Sequence, residues 1–220
     1  GAIMDYRASK KRFLFVSWLG TVLATAGLYF AEPGQVPLAF ALVVLSNFGD
    51  GTFAASVSYA VQGASRGLAI ADLDADGDLD VFNGTDGPWN QVAVFRNHGN
   101  GTFAPAVYSP GESGPIAVVA ADLDGDGDVD AVSANYWWSW PFETSTVSVF
   151  LNAGDGTLAP QVIYTVPNSP SSIVAADLDG DGDLDLATAH FYPESVTILL
   201  NDGAGVLTSS APYPAGFRLD

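Results

Sequence analysis

The stretch "ADLDADGDLDVF", residues 71–82, places five aspartates at alternate positions within nine residues. Two carboxylates about 5 Å apart repel each other by roughly 3 kcal/mol even at an effective dielectric constant of about 20. Such a run needs either a bound cation or full solvation. The same pattern returns from Asp122 and from Asp177, which favours a bound cation over a chance acidic turn.

A second pattern, a glycine turn that opens with asparagine, occurs in four copies. These are "NFGDGTF" from Asn47, "NHGNGTF" from Asn97, "NAGDGTL" from Asn152 and "NDGAGVL" from Asn201. Both patterns recur about every fifty residues, which indicates a chain built from repeated structural units. Glycine and asparagine permit the positive φ that tight hairpins need.

Each repeat reads as a short apolar strand, the Asp loop, a second strand, a variable loop, a third strand, the asparagine turn and a fourth strand. Four antiparallel strands in one repeat form a propeller blade. The sequence therefore predicts an all-β fold, a β-propeller-type repeat with about four blades. The predicted units are residues 1–22 as a basic and apolar amino-terminal segment, 23–65 as a degenerate first blade, 66–114, 115–170, and 171–220 with the start of a next unit.

The amino-terminal segment allows three interpretations. Basic residues precede the apolar run "FLFVSWLGTVL", which is typical of a secretory signal. Alternatively, "LATAGLYFAEPGQV" from Leu23 echoes "LATAHFYPESV" from Leu186, which indicates strands of a first blade. A membrane anchor is the third, although 18 residues only just span a bilayer. Export would place the protein outside the cell, secreted or on the cell surface.

Composition excludes several classes of function. The net charge is -18 with only seven Lys and Arg, so nucleic acid and anionic membrane would be repelled. Membrane contact is expected only through the amino-terminal segment. The absence of cysteine removes disulfides, thiolate catalysis and Cys-type zinc sites.

The Asp loops predict three calcium sites. Calcium takes six to eight oxygen ligands at about 2.3–2.6 Å, and magnesium requires a stricter octahedron. In each loop the first, second, third and fifth aspartates would supply side chains, and the fourth its main-chain carbonyl. An EF-hand is rejected, because position twelve is not Glu and the flanks read as strands. The predicted ligands are Asp72, Asp74, Asp76, Asp78, Asp80, Asp122, Asp124, Asp126, Asp128, Asp130, Asp177, Asp179, Asp181, Asp183 and Asp185.

Copies such as "AADLDGDGDVDAVSAN" followed by "VSVFLNAGDGTLAP" resemble the FG-GAP or VCBS repeat family, which includes the integrin α-subunit propeller. The resemblance runs from about Ala24 to Pro214, with a degenerate first copy that lacks the Asp loop. It implies a calcium-binding propeller whose rings usually hold seven blades. A small ring, pairing with another chain and a fragment of a larger ring all remain open.

In an up-and-down meander, the Asp loops and asparagine turns share one end of the strands. The loops between second and third strands lie at the other end and are rich in aromatic and acidic residues. Such residues suit sugar rings or a protein interface; the alternative is that they plug the central channel. The candidate ligand-binding residues are Trp89, Tyr136, Trp137, Trp138, Trp140 and Tyr192, with Phe191 and Glu194 beside them.

These features predict a secreted or cell-surface, calcium-stabilised module for binding or adhesion, with a glycan or protein ligand. One alternative is a structural subunit, a homo-oligomer that assembles through open blade edges into a ring or filament. Another is a carbohydrate-active enzyme or its accessory domain, for which Glu32, Glu143 and Glu194 offer carboxylates. We expect no enzyme, because no serine lies in a nucleophile elbow and the Asp loops lack a general base beside an open metal position.

Overall fold

The computed structural model describes residues 14–16, 39–46, 52, 55–86, 90–112, 114–136, 145–167, 169–191 and 194–215. Short strands joined by turns make up these residues, and none of them is helical. Accordingly, no membrane-spanning helix is found in this part of the chain.

The strands follow one another at short intervals along the chain. They are β1 (Leu14–Val16), β2 (Ala39–Ser46), β3 (Val57–Gln62), β4 (Ala64–Ala71), β5 (Asp80–Asp86), β6 (Gln91–Phe95), β7 (Val107–Pro110), β8 (Pro115–Ala121), β9 (Asp130–Tyr136), β10 (Ser145–Phe150), β11 (Val162–Val166), β12 (Pro170–Ala176), β13 (Asp185–His190), β14 (Ser195–Asn201), β15 (Leu207–Ser209) and β16 (Tyr213–Pro214).

Three successive meanders form the main part of the structure. Their strand orders are β4-β5-β6-β7, β8-β9-β10-β11 and β12-β13-β14-β15, and neighbouring strands are antiparallel. We call these sheets blades 2, 3 and 4. The additional strand β16 pairs with β14 beyond the end of β15. The predicted all-β fold of four-stranded antiparallel blades is confirmed.

Blade 1 is a sheet of three strands in the order β1-β2-β3. Leu14 pairs with Ser46 at one end of β2, and Ala39 pairs with Gln62 at the other. The strand predicted from Leu23 lies outside the described residues. The division of the chain at residues 22 and 65 stays a prediction.

The position of a strand in its blade decides how its residues are buried. The second strands β5 and β9 are buried along almost their whole length, so they show no inside–outside alternation. Each lies in the middle of a meander, and neighbouring blades cover its two faces. The fourth strands β7 and β11 form the outer edges and are largely exposed. The second strands are therefore covered on both faces, although they also bury polar side chains such as Asn83 and Ser133.

The hydrophobic core lies between the blades as a series of separate clusters. Between blades 2 and 3, the rings of Phe82 and Phe150 meet edge to face with centroids 6.5 Å apart. Between blades 3 and 4, Val147 and Val149 pack with Leu199 in a second cluster. Burial of apolar surface stabilises by about 25 cal/mol per Å², so each blade depends on its neighbours for much of its stability.

Two tyrosines on the last strands of their blades, β3 and β11, bind the next blade along the chain. The Tyr59 hydroxyl accepts a hydrogen bond from the Phe103 main-chain N–H at 3.0 Å, and the two rings lie 5.5 Å apart. The Tyr164 hydroxyl accepts from the Leu207 N–H at 3.2 Å. These contacts join blade 1 to blade 2 and blade 3 to blade 4 through the asparagine turn of the later blade.

Candidate metal centres in the Asp loops

The Asp loops connect the first and second strands of blades 2, 3 and 4. In blade 2 the loop begins at Asp72, directly after β4, and ends at Asp80, the first residue of β5. Since β4 and β5 are antiparallel neighbours, the hairpin brings the ends of the aspartate run together. Gly77, between the third and fourth aspartates of this loop, has a φ of 91°, which permits the sharp bend.

Three carboxylates of each loop converge on one point. The first, second and fifth aspartates each offer an oxygen, and these oxygens lie within 4.8 Å of one another. The third and fourth aspartates are not part of these groups. The three triads are Asp72, Asp74 and Asp80; Asp122, Asp124 and Asp130; and Asp177, Asp179 and Asp185. Each triad can hold a metal ion.

The fifth aspartate also fixes the loop to the asparagine turn. Asp80 is fully buried, and its two oxygens accept hydrogen bonds from the main-chain N–H groups of Leu73 at 3.0 Å and Asn97 at 2.7 Å. Asp130 and Asp185 make the same pairs of bonds in blades 3 and 4. This side chain therefore has a structural role besides its place in the triad, and the spacing alone did not indicate it.

The third aspartate shapes the loop and the fourth contacts the turn. Asp76 accepts a hydrogen bond from the Asp78 N–H at 2.9 Å. The Asp78 carboxylate lies where a Cβ at Gly99 would be. Asp128 and Asp183 occupy the same place in blades 3 and 4. The corresponding glycine is thus required for close approach as well as for its positive φ.

The electrostatics of the triads favour a cation. Burial raises the pKa of Asp130 to about 6, although the N–H groups of Leu123 and Asn152 oppose the shift. Burial likewise raises the pKa of Asp80, and nearby carboxylates add to the shift. A raised carboxyl pKa means that the ionised form is unfavourable in this environment, and a bound divalent ion would reverse that.

The triad of blade 2 also contains unsatisfied oxygens. Asp72 Oδ1 and Asp74 Oδ1 are buried and have no hydrogen-bond partner among the described residues. Buried polar atoms are nearly always paired, and carboxylate oxygens are the ligands that hard cations prefer. The donor set therefore fits a hard divalent ion in this loop.

Each asparagine of blades 3 and 4 connects its turn to the Asp loop of the blade before it. Asn152 Nδ2 donates to the carbonyl of Leu73 in blade 2 at 2.7 Å and to Val129 in its own blade at 2.9 Å. Asn201 Nδ2 repeats this with Leu123 at 2.7 Å and Leu184 at 3.0 Å. The prediction that Asp loops and asparagine turns share one end of the strands is confirmed. The sequence did not indicate that the two are in direct contact.

A family profile described as "FG-GAP-like repeat" matches residues 72–133 and 136–188, which is more than half of the chain. The chain belongs to the FG-GAP-like repeat family. The first match begins at the Asp loop of blade 2, and the second begins at the last residue of β9. Each match ends within the second strand of the following blade. No match was found among curated proteins. FG-GAP repeats with three acidic triads fit a calcium-stabilised, propeller-like module.

The second-to-third-strand loops of the FG-GAP repeats lie at the opposite end from the triads. The terminal pairs there are Thr85 with Gln91, Tyr136 with Ser145, and His190 with Ser195. The site predicted for a ligand falls largely outside the described residues: Trp89, Trp137, Trp138, Trp140 and Tyr192.

Among the described residues of this end, several side chains can be placed. Tyr136, a predicted ligand-binding residue, is partly buried at the end of β9. Phe191 is 79 % exposed. Tyr213 is also exposed, and its strand pairs with Val196 at the same end of β14. Tyr213 was missed in the sequence because it follows the last complete repeat pattern.

Proposed function

We propose that this protein is a secreted or cell-surface binding module, stabilised by three calcium ions, that holds a glycan or protein ligand at the loop end of its blades. The loop end is the end opposite the triads, where second and third strands are joined. In this function the triads hold the blades together, and the aromatic side chains of the loop end contact the ligand.

Calcium is supported by the donor chemistry and by the loop. Three carboxylate oxygens converge in each triad, and the glycine-rich loops are flexible enough for the irregular coordination that calcium accepts. A bound calcium ion would neutralise the carboxylates and tie the first strand of a blade to the second. Its binding free energy then contributes to folding, as for other metals whose site is absent in the unfolded chain.

Binding at the loop end is supported chiefly by the exposure of Phe191. A phenylalanine that is 79 % exposed leaves most of its ring in water, and exposed aromatic rings commonly stack on sugars or anchor a protein partner. Tyr213 adds a second exposed ring at this end, and Glu194, also exposed, adds a hydrogen-bond acceptor. In this geometry the triads stabilise the blades without obstructing the ligand.

A glycan array and a screen of extracellular protein ligands, both in calcium, test the proposal. We expect binding that falls at least tenfold in the Phe191→Ala and Tyr213→Ala variants. Ile163→Ala is the matched control, because Ile163 is an exposed apolar residue on an outer strand, β11. Equal binding by the wild type and both aromatic variants would contradict this location for the site.

Secretion is tested separately. The full-length gene product, expressed in its own host, should be found in the medium or be accessible to protease on intact cells. Recovery only from the interior of the cell would contradict an extracellular role, whatever the binding assay shows.

A further inference from the structure

The tyrosine contact that joins blades 1 and 2, and blades 3 and 4, has no counterpart among the described residues between blades 2 and 3. The strand register shows which residue of blade 2 holds the place of Tyr59 and Tyr164. Tyr164 of β11 pairs with Val147, and Ser109 of β7 pairs with Val92. Val92 and Val147 correspond, because each is the fifth residue before the asparagine of its turn. Ser109 is therefore the counterpart of the two tyrosines.

The short side chain of Ser109 points toward blade 3. Its strand partner, Val92, packs with Phe82 and Phe150 in the cluster between blades 2 and 3, and paired residues of antiparallel strands share one face of the sheet. A serine in place of a tyrosine removes a whole aromatic ring from this interface. The outer rim between blades 2 and 3 therefore has a gap, which a tyrosine fills at the other two interfaces.

The burial of blade 3 shows the same gap. Leu207 of blade 4 donates its N–H to Tyr164 and is only 6 % exposed. Leu158 holds the same place in blade 3, after its asparagine turn, and is only partly buried. Because both residues are leucines, the difference in their burial reflects the missing ring.

The gap also contains a main-chain donor. The two hydrogen bonds that flank Leu158 repeat those that flank Phe103 in blade 2. The Phe103 N–H points to the preceding blade and donates to Tyr59, so the Leu158 N–H has the same direction. Among the described residues, none accepts a hydrogen bond from it. An oxygen brought into the gap would pair this donor.

A phenol hydroxyl matches the polar groups of the gap, because it can donate one hydrogen bond and accept another. Between blades 3 and 4, the Tyr164 hydroxyl accepts from the Leu207 N–H and donates to the Gly205 carbonyl at 3.4 Å. The Leu158 N–H and the Gly156 carbonyl hold the same two places between blades 2 and 3. A carboxylate could only accept, and a phenylalanine ring could do neither.

A second donor lies at the edge of the gap. Arg96 Nε is buried and has no hydrogen-bond partner among the described residues. It lies beside Gly156, where an added Cβ would be 2.9 Å from this nitrogen. Buried polar atoms are nearly always paired, so this donor also favours an occupant that carries an oxygen.

We propose that the gap binds the side chain of a tyrosine carried by an extended segment of another polypeptide. The gap opens beside β7, whose Val107 is 51 % exposed and whose outer edge pairs with no described strand. An edge strand can accept a further strand, which would bring its tyrosine to the gap as β11 brings Tyr164 to blade 4. This site is at the outer rim of the blades and does not depend on ligand binding at the loop end.

Isothermal titration and amide NMR spectra of the full chain in calcium test the proposal with the capped peptide TTYTT, whose threonines favour an extended backbone. We expect saturable binding and a shift of the Leu158 amide signal. The peptide TTFTT has no hydroxyl for that N–H and should bind about fivefold more weakly, as for the loss of one hydrogen bond. Equal binding of the two peptides would contradict the role of the hydroxyl. An unchanged Leu158 signal at millimolar TTYTT would overturn the site.

Ser109→Tyr should close the gap by restoring the contact that the other two interfaces have. This variant should bind TTYTT at least tenfold more weakly and unfold at a higher temperature than the wild type. Ser58→Tyr is the matched control, because Ser58 is exposed on the outer strand β3, and it should leave binding unchanged. Tyr164→Ser opens the equivalent gap between blades 3 and 4 and should bind a second peptide.

Circular dichroism verifies that each variant is folded. If Ser109→Tyr does not fold, Ser109→Leu replaces it, since leucine fills the same gap with a smaller side chain. Binding of TTYTT by the folded Ser109 variant as tight as that of the wild type would overturn the proposal.

Discussion

The side-chain amide of Asn152 donates a hydrogen bond to the carbonyl of Leu73, 2.7 Å away in the neighbouring blade. The N–H of the same Leu73 donates to Asp80, a member of the metal triad. One leucine peptide backbone is thus held from two sides, by its own Asp loop and by the turn of the next blade. Because of this contact, the order of an Asp loop influences how firmly two blades are joined.

Removal of divalent ions should lower the stability of the whole protein. A ligand at about one hundred times its dissociation constant stabilises the folded state by about 2.7 kcal/mol for each independent site. We expect the thermal unfolding midpoint to fall by more than 10 °C in EDTA and to recover with excess calcium. Magnesium at the same concentration should restore less, because it requires stricter octahedral geometry. An unchanged midpoint in EDTA would show that the triads bind no stabilising ion.

Asn152→Ala should cost more than Asn97→Ala. The Asn152 amide is buried and bonds the carbonyls of two blades, Leu73 and Val129, and loss of it leaves buried acceptors unpaired at about 1–3 kcal/mol. Asn97 donates to Leu79 at an exposed position in its own blade. Urea unfolding of both variants measures the difference. Equal losses would contradict the contribution of the contact between blades.

The periodic parts of this structure could be predicted from the sequence, and the contacts between repeats could not. Strand order and the shared end of the Asp loops and turns follow from local hairpin signals. The bond from Asn152 to Leu73 joins residues 79 positions apart, for which no local pattern exists. The recurrence of asparagine in all four turns was the available signal, and it was interpreted as a turn preference alone.

The site shows the same division between local and distant information. Alternate aspartates in a hairpin loop predict a cluster of carboxylates, and three of the five in each loop do converge. The place of Asp78 against Gly99 was not predictable, because it depends on how the loop folds over a turn some twenty residues later. Exposure of Leu178 was equally hidden, since its sequence context matches that of the buried Leu73 and Leu123.

Gly154→Ala should destabilise the protein more than Gly127→Ala. Both glycines have positive φ, 78° and 94°, so both variants incur a similar backbone cost of roughly 1–2 kcal/mol. At Gly127 an added Cβ has nothing within 4 Å, whereas at Gly154 it would collide with the Asp128 carboxylate. Urea unfolding in calcium measures both. If the two losses agreed within error, the close approach of Asp128 would have no energetic consequence.

Asp130→Asn and Asp124→Asn should separate the structural role of a triad residue from its metal-binding role. Asp130 accepts N–H groups from Leu123 and Asn152, and an asparagine amide would place a donor against one of them. This variant should lose about 1–3 kcal/mol with calcium and without it. Asp124→Asn keeps the loop bonds of Asp130 and removes one repelling charge.

Asp124→Asn should therefore lower stability in calcium only. Burial and the neighbouring carboxylates Asp122 and Asp126 raise the pKa of Asp124, so its ionised form is unfavourable in the ion-free fold, and its neutralisation should leave stability in EDTA equal or slightly higher. Calorimetric titration should show two calcium ions bound instead of three. In EDTA no ion is bound, so a variant can lose stability only through contacts that do not need the metal. If Asp124→Asn lost as much stability in EDTA as Asp130→Asn, the two aspartates would have the same structural role.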